Sequence, residues 1–241
     1  MNEANDSLDR LAAATDRLLA TVATLTDAQV REPSLLPGWT RGHVLTHIAR
    51  NADGLGNLLR WARTGTETPM YASAEARGKD IEAGSARPVS ALAADVGESA
   101  AWFAAEALTV PDGAWTVQVR ALTGRPFPAF GVLERRLSEV EIHHLDLAAG
   151  YTPGDWPADF VAGALPRVAG SFAGRDDAPP CLVWVAGTTT SFPIGPDQAG
   201  APPVTIHGQP ADLLAWLLGR DDGARLSLSS GTTLPQLPPW R

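Results

Sequence analysis

The residues best suited to chemistry fall on one helical segment. Arg136, Glu139, His143 and Asp146 follow one another at intervals of three, four and three, which lines them up on one face of a helix. Leu133, Leu137, Val140 and Leu147 form the adjoining apolar stripe. A polar line bordering a core stripe lies inside a bundle or at its mouth, where ionisable groups are costly unless paired, protonated or bound to metal. Glu139 and His143, one turn apart, can direct a carboxylate oxygen and an imidazole nitrogen at the same ion. An earlier helical segment offers His43 and His47, also four apart, with His47 beside the core positions Val44 and Ile48. One of these histidines with Glu139 and His143 makes a His-Glu-His set, three protein ligands of the kind zinc accepts while keeping a position open. His43 and His47 binding together is the competing arrangement, with His144 as a further substitute. The ordinary alternative is an exposed ion pair or a satisfied core histidine, because the spacing recurs by chance. Asp146 reads as a partner that orients a histidine by accepting its other ring proton.

The elements that must position these side chains follow from periodicity. Leu8, Leu11, Leu18, Val22 and Leu25 define an amphipathic helix that Asp6 or Ser7 can cap. The stretch from Pro33 to Trp39 holds two prolines and a glycine and must turn. Thr40 then opens a second helix, with Val44, Ile48, Ala52, Leu55 and Leu59 inward, reaching about Arg63. Residues 64–86 show no sustained period and are expected as a long crossover loop. A third helix begins near Pro88 and runs through Leu92, Val96, Trp102 and Phe103, and a fourth follows Pro128 and stops at Gly150. Four such helices make a bundle.

After Tyr151 the texture changes. Residues 181–186, 203–207 and 225–229 alternate or are β-branched, as strands are, and Pro210 to Arg220 reads as a short helix. The expected class is therefore α+β, with a helical domain over residues 1–150 and a small α/β domain over 151–241.

Composition excludes several functions. The 241 residues are 44% hydrophobic and 19% charged, enough apolar side chain for a real core. With 27 acidic against 19 basic groups the net charge is −8, which opposes sequence-independent binding to nucleic acid. The single cysteine, Cys181, cannot form an internal disulfide and reads as a small buried hydrophobe. The opening residues lack a signal-peptide pattern, and no apolar run approaches the roughly 18 residues of a membrane span. A cytoplasmic protein without membrane partners is expected. No Gly-x-Gly-x-x-Gly, phosphate-binding Gly-x-x-x-x-Gly-Lys or Gly-x-Ser-x-Gly motif is present. Core packing accounts for the eight tryptophans.

At these residues the chain resembles the mycothiol-dependent maleylpyruvate isomerases, part of the wider DinB-like metal-dependent thiol enzymes. The likeness is carried by Leu-Leu-Pro-Gly-Trp-Thr-Arg-Gly-His-Val-Leu-Thr-His-Ile-Ala-Arg-Asn (35–51) and Glu-Val-Glu-Ile-His-His-Leu-Asp-Leu (139–147). Arg-Trp-Ala-Arg-Thr-Gly-Thr-Glu-Thr-Pro-Met-Tyr (60–71) and the closing Leu-Pro-Gln-Leu-Pro-Pro-Trp are similar too. The resemblance implies a DinB-like four-helix bundle followed by a smaller α/β domain reminiscent of sterol-carrier folds. It implies a divalent metal, zinc, held by His47, Glu139 and His143, leaving His43 and His144 to packing or support. The wider group often has histidine where this chain has Glu139, which points to the isomerase branch.

The implied reaction turns maleylpyruvate into fumarylpyruvate in the gentisate branch of aromatic breakdown, by reversible addition of the thiolate of mycothiol. The partners implied are thus a small-molecule substrate and a thiol cofactor. Arg220 lies in a Leu-Leu-Gly-Arg segment similar to the family's C-terminal arginine motif and is the expected anchor for a substrate carboxylate; its ordinary role is that of a cation at a helix C-terminus. Asp146 is expected to tune His143 or relay a proton. A related mycothiol S-transferase would keep the same ligands but join the thiol permanently to another electrophile. A non-catalytic binding module is the rival from a different class.

Overall fold

The apolar stripes of the N-terminal half become the buried faces of long helices. The computed structural model describes residues 2–122, 125–196, 204–231 and 233–240, and the chain divides into two units, Met1–Tyr151 and Thr152–Arg241. In the first unit α1 spans Asn2–Val22 and buries Leu11, Leu18 and Val22. It begins upstream of Asp6 and Ser7, because no proline or glycine interrupts residues 2–6 and Glu3 suits the positive end of the helix dipole. The second helix, α2 (Arg41–Thr64), starts where Thr40 and His43 form a reciprocal capping box and ends at Gly65, whose φ of 72° the left-handed cap requires.

The crossover after α2 departs from the expectation of a loop: residues Ala74–Ser85 form a helix, α3, capped by the Ser73 hydroxyl accepting from the Ala76 amide. Its period is faint because only Ile81, Gly84 and Ser85 are buried, so most of the helix presents polar side chains to water and leaves little apolar signal. Next comes α4 (Val89–Leu108), followed by a minimal hairpin of β1 (Gln118–Val119) and β2 (Phe127–Pro128) that the sequence did not announce. The final helix of the unit, α5, runs only over Gly131–Asp146. It stops short of Gly150 because Arg41 captures the carbonyls of Leu147 and Ala148 through Nε and Nη2, at 2.6 and 3.1 Å, while Ala148 turns to φ 50°.

Within this unit α2 is the central helix, packing against α3, α4 and α5, while α1 packs on α4 and α5. Glu141, almost fully buried, accepts from Arg17 at 2.6 Å and from the Tyr151 hydroxyl at 2.7 Å, tying α5 to α1. Two glycines allow α2 to approach its neighbours. A Cβ at Gly56 would lie 2.1 Å from the Trp102 ring of α4, and one at Gly42 would lie 2.1 Å from the Ser85 carbonyl oxygen at the end of α3.

The second unit begins with α6 (Ala158–Gly170), a helix the sequence reading passed over because Gly163, Pro166 and Gly170 interrupt its composition. Strands β3 (Cys181–Val185), β4 (Ser191–Ile194), β5 (Val204–Gly208) and β6 (Ser227–Leu228) form a sheet in the order β4-β3-β5-β6. β3 and β5 are parallel, with Val183 opposite Ile206, and the other pairs are antiparallel. β4 was not foreseen, and Pro203, placed at the start of a strand by the sequence reading, lies outside the described residues. The last helix, α7 (Pro210–Leu217), packs on β3 and β5, and α6 packs on β4 and α7. Alternation along β3 buries Cys181, Val183 and Val185. Among the described residues no helix is long and apolar enough to cross a membrane.

The Gly42 contact gives a first test. Gly42→Ala places a methyl group against backbone that has no rotamer to change, so we expect a loss of about 2 kcal/mol or more, seen as a melting temperature lowered by about 5 °C in calorimetry.

Candidate metal centre

Helices α2 and α5 carry the polar side chains, and a buried arginine sets their register. Arg136, fully buried on α5, donates through Nη1 to the Ile48 carbonyl at 2.8 Å and to Asn51 Oδ1 at 2.9 Å, both on α2. Burial lowers its pKa to about 10, against the attraction of Glu139, so it stays cationic at neutral pH. The carbonyl it holds belongs to the residue following His47. One turn after Arg136 stands Glu139, and one turn later His143.

These positions bring three donor atoms together. His47 Nε2 lies 3.0 Å from Glu139 Oε2 and 3.0 Å from His143 Nε2, and the last two are 3.3 Å apart. Among the described residues His47, Glu139 and His143 form the group of histidine, cysteine and acidic side chains able to hold a metal ion. A tetrahedral ion with ligand bonds of about 2.0–2.1 Å separates its donors by about 3.3 Å, so the triangle has the size such an ion needs. The donor set, two imidazoles and a carboxylate, is one that zinc accepts. His47 is buried, whereas the Glu139 side chain keeps about a third of its surface exposed, at 32%. The cluster therefore opens toward solvent on the Glu139 side.

The other candidates are placed elsewhere. His43 is occupied as the α2 cap, its Nδ1 2.7 Å from Thr40 Oγ1 and its Nε2 3.1 Å from Glu82. His144 turns away toward α1, with Nε2 2.8 Å from the Thr21 hydroxyl and its ring stacked on Tyr151. Asp146, fully buried, accepts from His143 Nδ1 at 2.7 Å. That bond fixes the His143 tautomer and leaves Nε2 facing the cluster, the usual arrangement behind a metal-binding histidine. Arg220 belongs to the second unit, where its backbone N–H donates to the Ala215 carbonyl and its Nη1 to the Leu218 carbonyl, closing the last turn of α7. Cys181 is buried, and burial pushes its thiol up to about 11, which suits a packing residue better than a nucleophile.

The cluster shares its protons unequally. Burial and repulsion from His143 push His47 down to about 4, outweighing the pull of Glu139. Burial also disfavours the charged form of His143, but hydrogen bonds to Asp146 and Glu139 overcome it and raise the pKa to about 9. Burial alone would raise Glu139, yet hydrogen bonds from both histidines hold it well below the usual carboxylate range. The protein alone thus carries an ionised Glu139, a neutral His47 and a protonated His143 near neutrality.

Sequence reasoning missed three neighbours. Trp39, at the end of the Pro-Gly turn, meets the His47 ring edge-on at 5.6 Å. Arg77 on α3 approaches His47 Nδ1 with Nη2 at 2.9 Å, and its guanidinium lies 5.8 Å from the centroid of Tyr71. Arg77 was invisible because its segment read as a loop. Tyr71 lies in the 60–71 stretch, whose resemblance to the family implies no role for it.

Comparison with known proteins agrees with this organisation. The family model described as mycothiol maleylpyruvate isomerase N-terminal domain matches residues 11–148, and that described as MDMPI C-terminal domain matches residues 155–239. A crystal structure of a mycothiol-dependent maleylpyruvate isomerase aligns with a TM-score of 0.88 and 31% identity, covering 98% of this chain and 97% of that one. A crystal structure of a histidine-to-alanine mutant of such an isomerase aligns with the same TM-score of 0.88, the same 31% identity and the same coverage. A search of curated proteins finds no significant match. A helical unit with a His-Glu-His donor cluster, followed by a small α/β unit, thus corresponds to two domains of one enzyme class. The chain belongs to the mycothiol maleylpyruvate isomerase family.

Two outcomes follow from the proton arrangement. A divalent cation bound through His143 must displace its proton below pH about 9, so affinity should fall by about tenfold per pH unit from about 8.5 to about 6.5. Chelator competition measures the affinity, and calorimetry in buffers of different ionisation enthalpy counts the proton. In Asp146→Asn the lost carboxylate charge should lower the His143 pKa from about 9 by about one unit or more, as followed by NMR titration of the metal-free protein.

Proposed function

We propose that this protein is a maleylpyruvate isomerase that uses mycothiol, with His47, Glu139 and His143 as ligands of a divalent cation. The observation that carries the ligand assignment is the donor triangle, with sides of 3.0, 3.0 and 3.3 Å, formed across two helices whose residues are 92 and 96 positions apart in sequence. Membership of the isomerase family supplies the reaction.

The cis-to-trans change can proceed by reversible addition of a thiolate, so that the double bond becomes single, turns, and is restored when the same thiolate departs. A divalent metal bound here would supply the thiolate, since a coordinating thiol is deprotonated although a free one has a pKa of about 8.5. The chain's own residues prepare the place. Asp146 holds His143 with Nε2 forward and balances its charge. Arg136 fixes α5 against α2, so that Glu139 and His143 meet His47 without rearrangement. Trp39 packs its ring against one edge of His47.

In the same reading the ion is zinc, Asp146 tunes the basicity of His143, and Arg220 binds a substrate carboxylate, the last resting on its motif alone. The two units act as the metal-binding domain and the small α/β domain. Gentisate breakdown in the cytoplasm is the proposed setting. Cys181, buried and free, asks for no oxidising compartment.

The test compares His47→Ala, Glu139→Ala and His143→Ala with His43→Ala. We expect the first three to lose bound zinc, measured by elemental analysis, and to lose isomerase activity by about a hundredfold or more. His43→Ala should keep its zinc and lose only about 1 kcal/mol of stability through the broken capping box. Maleylpyruvate should be converted without consumption of mycothiol, whereas a stable thioether product would contradict isomerisation.

A further inference from the structure

The two histidines of the cluster are supported in opposite ways. His143 Nδ1 donates to a carboxylate of its own helix, Asp146. His47 Nδ1 instead faces a guanidinium, with Arg77 Nη2 at 2.9 Å. A guanidinium only donates, so this contact requires a lone pair on His47 Nδ1. The proton of the neutral ring then sits on Nε2 and is donated to Glu139. Metal ligation through Nε2 demands the reverse tautomer, lone pair on Nε2 and proton on Nδ1. The Nδ1–H would then confront an Arg77 N–H, two donors with nothing between them to accept.

The conflict is resolved by an acceptor that both can share. Ligating histidines nearly always donate their second N–H to a carboxylate, carbonyl or water. Asp146 fills that role for His143, and for His47 the nearest polar group is the cation of Arg77. Arg77 is half-buried, on a helix whose outer face is exposed, and it lies beside Tyr71 at 5.8 Å from the ring centroid. Its planar fork matches a carboxylate bidentately. Its partner ring sits at the donor triangle itself, so an anion held there lies next to the reacting centre.

We propose that Arg77 is a substrate-positioning residue: when a divalent cation takes Nε2 of His47, the guanidinium turns from Nδ1 and, with the Nδ1–H, holds a carboxylate of the substrate. The inference rests on the ligand set proposed above and adds the residue that receives the anion. The metal site and the anion site are thereby coupled, because the ring proton that permits metal binding also completes the carboxylate site. Arg77 in its present position competes with the metal for His47, and the substrate's carboxylate relieves that competition.

The coupling gives Arg77 a signature that a purely structural role would not produce. Maleate, a cis-dicarboxylate that is stable without thiol, serves as the probe for the full-length protein, with and without zinc. Calorimetry should show maleate binding to the zinc-loaded protein and at least about tenfold more weakly to the metal-free one. Arg77→Met should weaken maleate binding by about tenfold or more while tightening zinc, measured by chelator competition, by severalfold. Arg77→Lys, which keeps the charge and loses the fork, should recover only part of the maleate affinity. Looser zinc binding in a folded Arg77→Met, unchanged maleate affinity in that variant, or equal maleate binding with and without zinc would each overturn the proposal. If the unaltered protein takes up no zinc at all, the ligand assignment itself fails, and that outcome is distinct from an Arg77 variant that leaves a working metal site unaffected.

Discussion

The hydrogen bonds from Arg136 to the α2 backbone and Asn51 hold two helices in a single register, and the polar cluster exists only in that register. A buried guanidinium is expensive to desolvate, and this one is fully enclosed. Its Nη1 finds acceptors only where α5 lies beside Ile48 and Asn51. Sliding α5 by one turn would strip Nη1 of both its acceptors and carry Glu139 and His143 past His47. The capture of the Leu147 and Ala148 carbonyls by Arg41 secures the same helix at its other end. Two arginines, neither of them within the donor cluster, thus determine where the three donor atoms meet.

Within that frame the charges are arranged for a cation. Glu139 and Asp146 bring negative charge to His143 from two sides, so the ring is held protonated. His47 shares Glu139 but has no second carboxylate, and burial together with repulsion from His143 keeps it neutral. This asymmetry places the readily displaced proton on α5 and the neutral donor on α2. The ionised Glu139 is what lets a partly open corner hold both rings, since it accepts from each of them.

The approach of α3 is the other structural condition on the site. Gly42 and Gly84 lie where α2 and α3 nearly touch, and a Cβ at Gly84 would meet Thr46 at 2.4 Å. Because this contact is made by backbone and small side chains, α3 comes near enough for Arg77 to reach His47. A helix with a mostly solvated surface thereby contributes a charged group to the edge of the donor cluster.

By itself the sequence determined what short-range periodicity can encode. The four long helices, the class of the second unit, and the single face shared by Arg136, Glu139, His143 and Asp146 were all readable, because residues three and four apart must lie together on any helix. Spacing left open which of His43, His47 and His144 stands beside Glu139 and His143, since it says nothing of the face a neighbouring helix presents, and only the family resemblance pointed to His47. The sequence reading also misread residues 74–85, which bury too little to leave a period, and passed over a helix interrupted by Pro166. Tertiary structure alone decided the rest: His43 is taken by a cap, His144 by Thr21 and Tyr151, and His47 is left facing the cluster. It also delivered Arg77 from a helix the sequence concealed. The physical reason is that a functional cluster is selected by distances between helices, which are fixed by buried hydrogen bonds and by glycine contacts between residues far apart in the chain.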